Sequence, residues 1–142
     1  MRKYIVIGVI VVMISLIGAC SNEGNTEMKD KNQQTVATYE CISQEEAHSL
    51  MEDGVDCIIL DVRTWEEYNE KHILNAICIP NETIETEPPA ELPDKDQLIL
   101  VYCRSGNRSK QASEKLAAMG YTNIKEFGGI NTWTGATVSH QD

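Results

Sequence analysis

The 142-residue sequence is short of positive charge: 12 Lys and Arg stand against 22 Asp and Glu, for a net charge of −10. A surface that acidic repels phosphate backbones and argues against a nucleic-acid partner. Aromatic residues are scarce at 6%, and there are three His. Apolar residues still reach 42%, enough for one modest core and too many for a disordered chain. Five cysteines are too sparse for a disulfide-built scaffold. No two of them have C-x₂-C spacing and no His pair has H-x₃-H spacing, so no metal site is expected. Nothing in the sequence calls for a cofactor. The length allows one domain with short appendages.

There is no apolar run of the ~20 residues that a membrane span needs. The nearest to one is Tyr4 to Ile17, interrupted by Gly8 and Ser15, after the basic start Arg2-Lys3. A basic start, an apolar stretch and small residues are the layout of a secretory signal. An uncleaved N-terminal anchor is the other reading. The segment Ile17-Gly18-Ala19-Cys20 resembles the lipobox of bacterial lipoproteins, in which the chain is cut before a cysteine that then carries lipid. On that reading residues 1–19 are a lipoprotein signal peptide and Cys20 is lipidated. Residues 20–38, rich in Asn, Gln, Glu, Lys and Thr, are a flexible tether. The domain at 39–142 then sits on the extracytoplasmic face of the cell membrane.

From Tyr39 the pattern alternates. Tyr39 to Ile42 reads as a short strand. Ser43-Gln44-Glu45-Glu46 is a capping box that opens a helix ending near Gly54. Cys57 to Leu60 is a continuous apolar run suited to a strand buried on both faces. Thr64-Trp65-Glu66-Glu67 is a second capping box, and Ala76 to Ile79 another short strand. All four prolines fall between Pro80 and Pro93, a long surface connection rather than a helix. Gln97 to Tyr102 is the most strand-like run. Ala112, Leu116 and Met119 mark one face of a helix ending at Gly120, and Asn123 to Phe127 is a last strand before Gly128-Gly129. Strands alternating with helices form a parallel sheet covered on both faces, with ligands beyond the carboxyl ends of the strands. Three such ends carry unusual residues: Asp61-Val62-Arg63, Cys103-Arg104 and Gly128-Gly129.

The segment Cys103-Arg104-Ser105-Gly106-Asn107-Arg108-Ser109 joins the strongest strand to the clearest helix. A thiol is a nucleophile only as thiolate. A helix N-terminus, a Gly- and Asn-containing turn with its N–H groups, and two Arg all favour that form. The alternative, a buried core cysteine, is ordinary for this residue type but is not usually followed by such a loop. Cys41, Cys57 and Cys78 lie in strand candidates and read as core packing.

The sequence resembles the rhodanese family, on five segments in order: Leu60 to Arg63, Trp65 to Tyr68, His72 to Ala76, Cys103 to Ser109, and Gly128 to Trp133. The resemblance implies a three-layer α/β domain with a five-stranded parallel sheet flanked by helices. It implies sulfurtransfer through a Cys103 persulfide, from a small sulfur-containing anion such as thiosulfate to cyanide or a thiol. The backbone of 104–108 would cradle the persulfide, Arg104 and Arg108 would bind the anion or brace the loop, and Asp61 and Arg63 would support the rim. His72 falls in one of these segments, with a structural role; His48 and His140 read as solvated. Family sheet order makes Cys57 and Cys78 a candidate disulfide. Relatives often place a helix where this chain has its proline-rich stretch. A surface persulfide carrier or interaction module is an alternative on the same fold, and the chain is expected to be a monomer. Phosphatases and arsenate reductases on this fold use C-x₅-R, whereas Cys103 to Arg108 is C-x₄-R.

The anchoring reading is tested by intact mass of protein extracted from membranes. A chain starting at Cys20 with added acyl mass is expected; an uncleaved Met1, or a lipid-free soluble form with another start, defeats it.

Overall fold

The computed structural model describes residues 38–140; the signal peptide, Cys20 and nearly all of the tether expected above lie outside these residues. In chain order the described elements are β1 (Glu40–Cys41), α1 (Gln44–Glu52), β2 (Cys57–Asp61), α2 (Trp65–Glu70), β3 (His72–Ile73), β4 (Ile77–Cys78), a 3₁₀ turn at Asn81–Thr83, β5 (Leu98–Cys103), α3 (Asn107–Ala118), β6 (Ile124–Gly129), a 3₁₀ turn at Ile130–Thr132 and β7 (Thr137–Val138). Five strands form one parallel sheet in the order β1-β6-β5-β2-β4.

β5 lies in the middle, and all six of its residues are buried. Because side chains alternate across a strand, it serves two cores at once. Ile99, Val101 and Cys103 join Ala112, Leu116 and Ala117 of α3 on one face. Leu98, Leu100 and Tyr102 join Ala47, Ile73, Phe127 and Ile130 on the other, with Leu50 and Met51 of α1 packed against them. The buried positions of α3, Ser109, Ala112, Ser113, Leu116 and Ala117, repeat at helical spacing. Both capping residues accept as the sequence suggests, but only the second completes its capping box. Ser43 Oγ accepts from the Glu46 N–H at 3.1 Å, and Thr64 and Glu67 form a reciprocal box.

The proline-rich connection is less superficial than its composition indicates. Its only regular piece is the 3₁₀ turn, yet Ile84 and Leu92 are each 1% exposed and complete the core on the α3 face. Tyr121 Oη donates to Leu92 O at 2.6 Å, and Lys115 Nζ to Asn81 O at 2.7 Å. Two apolar side chains of the connection thus cover the sheet on the α3 face without a helix.

Two features differ from expectation. β3 and β7 form a small antiparallel pair that brings the C-terminal segment back to His72 and Ile73. Elements of two residues have no periodicity to read. The Cys57–Cys78 disulfide is corrected: both thiols are free. Their strands are neighbours, but Leu60 pairs with Ile77 and Asp61 with Cys78. Cys57 therefore lies four residues further back along β2, roughly 13 Å at ~3.3 Å per residue, beyond the ~7 Å Cα limit for a bridge.

Leu92→Ala should lower unfolding free energy by about 3 kcal/mol, as for other core truncations. Exposed Glu91→Ala should stay within ~0.5 kcal/mol. Denaturant titration checks both, and equal small effects would mean that the connection is not part of the core.

Candidate active site

Cys103 ends β5, is 1% exposed, and is followed at once by the start of α3. The turn between them needs Gly106, whose φ of 106° lies in the left-handed region that side chains disfavour. Gly106 is also the residue capping α3, with no side chain to occupy the helix's first N–H groups. Its own N–H donates to Cys103 Sγ at 3.1 Å. Burial pushes the thiol up. Against it act the N–H groups of Ser109, Gly106 and Ser105, and the Ser109 hydroxyl whenever its proton points to the sulfur; the result lies below the usual thiol value.

β6 supplies the wall behind this turn. Val101 pairs with Glu126 and Cys103 with Gly129, so β5 advances two residues where β6 advances three. The extra residue is a bulge that takes Gly128 to a φ of 92°. A Cβ on Gly129 would collide with the Arg104 carbonyl. Asn131 N–H donates to that carbonyl at 3.3 Å, and Gln44 Nε2 donates to Gly129 O at 2.8 Å. Gly129 is explained by this backbone-on-backbone approach, and Gly128 by its left-handed φ.

The two loop arginines part company. Arg108 Nη1 and Nη2 donate to the two carboxylate oxygens of Glu67 at 2.7 and 2.9 Å, tying α3 to α2. The Arg108 guanidinium beside it brings the Glu67 carboxyl down to about 2. Of the two roles left open for Arg108, bracing is the one its contacts match. Arg104 is exposed and enters no ion pair among the described residues. Ser105 and Asn107 are exposed at the rim, and Ser109 is fully buried behind it.

Asp61 and Arg63 lie close by without touching the sulfur. Asp61 accepts from Arg63 Nε and Nη2 and from the Tyr102 hydroxyl, the last at 2.7 Å, and Arg63 Nη2 also donates to Lys71 O. Tyr102 immediately precedes Cys103, so this buried network fixes the end of β5 from the opposite face. His72 stacks on Tyr68 and contacts its carbonyl at 2.8 Å; His48 pairs with Glu52, and His140 stacks on His72. None is hydrogen-bonded to Cys103 among the described residues.

The other described thiols are pushed the opposite way. Burial and Asp61 raise Cys78 to about 12; burial raises Cys57 and Cys41. Cys103 alone of these four is lowered. A cavity of about 380 Å³, bordered by His48, Met51, Cys57, Leu74 and Trp133, includes no residue of the Cys103 loop. Among the described residues no three His, Cys, Asp or Glu come together as metal ligands. Two groups at the site escape a sequence reading: Glu67, distant in the chain from Arg108, and Glu126, a buried carboxylate behind Gly106.

Residues 43–136 match the Rhodanese-like domain family. The chain is 39% identical over 71 residues to thiosulfate sulfurtransferase PspE of Escherichia coli (strain K12), spanning 50% of this chain and 68% of that protein. It is 33% identical over 96 residues to thiosulfate sulfurtransferase GlpE of Coxiella burnetii, spanning 67% and 87%. A solved E. coli rhodanese with anions superposes with a TM-score of 0.53 at 35% identity, over 58% of this chain and 96% of that one. The chain belongs to the rhodanese-like family, and its domain is homologous to thiosulfate sulfurtransferases.

The Glu67–Arg108 pair yields a pH-dependent prediction. Glu67 titrates lower in the folded chain than in the unfolded one, so its stabilisation is complete above its ordinary value near 4.5. It is lost as pH falls toward about 2. Glu67 is a quarter exposed, and solvent screens the pair. Glu67→Gln should cost about 1–2 kcal/mol at pH 7 and almost nothing near pH 2. Unfolding at both pH values checks it; an equal loss at both would assign the effect to packing.

Proposed function

We propose that this rhodanese-like domain is a thiosulfate-type sulfurtransferase with Cys103 as its nucleophile. The observation that carries the reading is the Cys103 thiol itself, lowered at a helix N-terminus while the three other described thiols are raised. The Cys103 thiolate attacks the outer sulfur of thiosulfate. The S–S bond of the donor breaks, and sulfite leaves with the electron pair. The outer sulfur remains on Cys103 as a persulfide anion, held by the same N–H groups. A thiophile, cyanide or a thiolate, then attacks the terminal sulfur and Cys103 leaves as thiolate. The loop's N–H donors, which lower the Cys103 thiol, favour the thiolate without a histidine base.

Arg104, exposed at the rim, is the cation that meets the dianionic donor; Arg108 keeps the loop in place through Glu67. Asp61 and Arg63 fix the strand that delivers Cys103. Against an acidic net charge of −10, an exposed arginine at the mouth of the loop is important in drawing in an anion. The domain would work as a monomer spanning 39–142, on the extracytoplasmic face of the membrane, held by lipid on Cys20 through the 20–38 tether.

Cys103→Ser should abolish thiosulfate:cyanide transfer with the fold retained, and thiosulfate should add one sulfur to Cys103 only, by mass spectrometry. Sulfur on Cys57 or Cys78, or activity surviving in the variant, defeats the assignment. Arg104→Ala should raise KM for thiosulfate by roughly tenfold, about 1.4 kcal/mol, and change use of an uncharged organic persulfide far less. Equal losses for both donors would make Arg104 structural.

A further inference from the structure

Glu126 is a carboxylate left only 3% exposed in β6, and the reaction above does not use it. It forms no ion pair among the described residues. Tyr39, just before β1, and Cys41 of β1 face it, both with raised titration and so uncharged at neutral pH; from α3, Glu114 faces Tyr39 and Lys110 faces Cys41. From β5 its register partner is the apolar Val101. Instead of a cation, Glu126 Oε1 takes hydrogen bonds from the Gly128 N–H at 2.9 Å and the Ser109 hydroxyl at 2.6 Å. A buried carboxylate without a counter-ion is costly. This one stands directly behind the sulfur's cradle: Oε1 lies 3.9 Å from where a Cβ on Gly106 would be, and Gly106 N–H is the donor to Cys103 Sγ.

Ser109 connects the two. A serine hydroxyl has one proton. Here that proton lies against the Glu126 carboxyl at 2.6 Å and the Gly106 carbonyl at 2.9 Å, and turning it toward the sulfur instead would lower the Cys103 thiol. It cannot serve thiolate and carboxylate together. The 2.6 Å contact to the Glu126 carboxyl is the shortest of these bonds.

We propose that Glu126 is a positioning residue for Cys103: it holds the Ser109 proton and places negative charge behind the loop, keeping the thiolate from being over-stabilised by its N–H donors. The proposal rests on Cys103 being the reacting sulfur. Its chemical point is reactivity. A thiolate loses nucleophilicity as its basicity falls, with a slope of about 0.4–0.5. A loop that only donates to the sulfur would give a fully formed but sluggish thiolate, and Glu126 opposes that drift.

In Glu126→Gln the charge is gone, and the amide can donate to Ser109 Oγ, releasing the serine proton to the sulfur. Both changes act in one direction. Thiolate absorbance in the ultraviolet, read as each variant minus the same variant carrying Cys103→Ser, isolates the Cys103 titration from the other thiols and the tyrosines. The midpoint should fall by about one pH unit in Glu126→Gln. Sulfur uptake at saturating pH should then slow about threefold. With the serine proton already committed to Glu126, Ser109→Ala should shift the midpoint by less than about 0.3 units. Glu126→Gln made in that background should shift it by less than in the native chain. A midpoint unchanged or raised in folded Glu126→Gln overturns the proposal. So does a rise of a full unit in Ser109→Ala, which also decides the matter should Glu126→Gln fail to fold. Failure of the underlying reading shows separately, as absence of sulfur on Cys103 in the native protein treated with thiosulfate.

Discussion

A sulfur anion shut away from water must be solvated by the protein, and here the backbone does it. Cys103 is 1% exposed, and burial alone would keep its thiol protonated. Desolvating an ion costs several kcal/mol, of order 5. A hydrogen bond to a charged group returns about 1.5–3 kcal/mol. N–H groups turned toward one atom therefore decide the sign: that of Gly106 donates to the sulfur at 3.1 Å, and those of Ser105 and Ser109 act in the same direction. Much of the local architecture follows from that convergence. β5 must end at the cysteine, α3 must begin four residues later, and Gly106 must turn the chain through a left-handed conformation. The loop must also lie against β6, which a side chain at Gly129 would prevent.

Charge near the sulfur is arranged so that little of it is free. Arg108 and Glu67 neutralise each other while locking α3 to α2. Asp61 and Arg63 do the same on the other side of the sheet, with Tyr102 as a third member. Arg104 at the loop's outer rim and Glu126 behind the loop enter no ion pair among the described residues. A cation facing solvent can attract an anion; a carboxylate in the interior can only modulate what lies in front of it. The two unpaired charges are thus placed where their signs are useful.

The parts legible in the sequence were those whose cause is local. The capping residues Ser43 and Thr64, the buried run of β2, the spacing along α3 and the composition of the Cys103 loop each fit within a dozen residues. What escaped was set by contacts distant in the chain. Glu67 reads as part of a capping box, which it is, but nothing local shows its second role toward Arg108, 41 residues away. Glu126 sits in the strand run Ile124-Lys125-Glu126-Phe127, and nothing local marks it as interior; its bond to Ser109 on the α3 side of the sheet does. The proline-rich connection was legible as irregular, but burial of Ile84 and Leu92 depends on the core it folds onto.

The adjacency of Tyr102 and Cys103 shows how one strand meets opposing demands. Successive side chains on β5 point to opposite faces. Tyr102 faces the α1 side, where its hydroxyl donates to Asp61 and accepts the Ile73 N–H at 3.1 Å, so that position is over-determined. Cys103 faces the α3 side, its sulfur held by an N–H donor of the loop and its nearby Arg108 guanidinium engaged with Glu67. Rigidity and reactivity conflict when a single residue must supply both, since every bond that fixes the sulfur also stabilises it. Splitting them between neighbours removes the conflict. The backbone of β5 is fixed through Tyr102, and the sulfur one residue later is positioned without being immobilised by its own bonds.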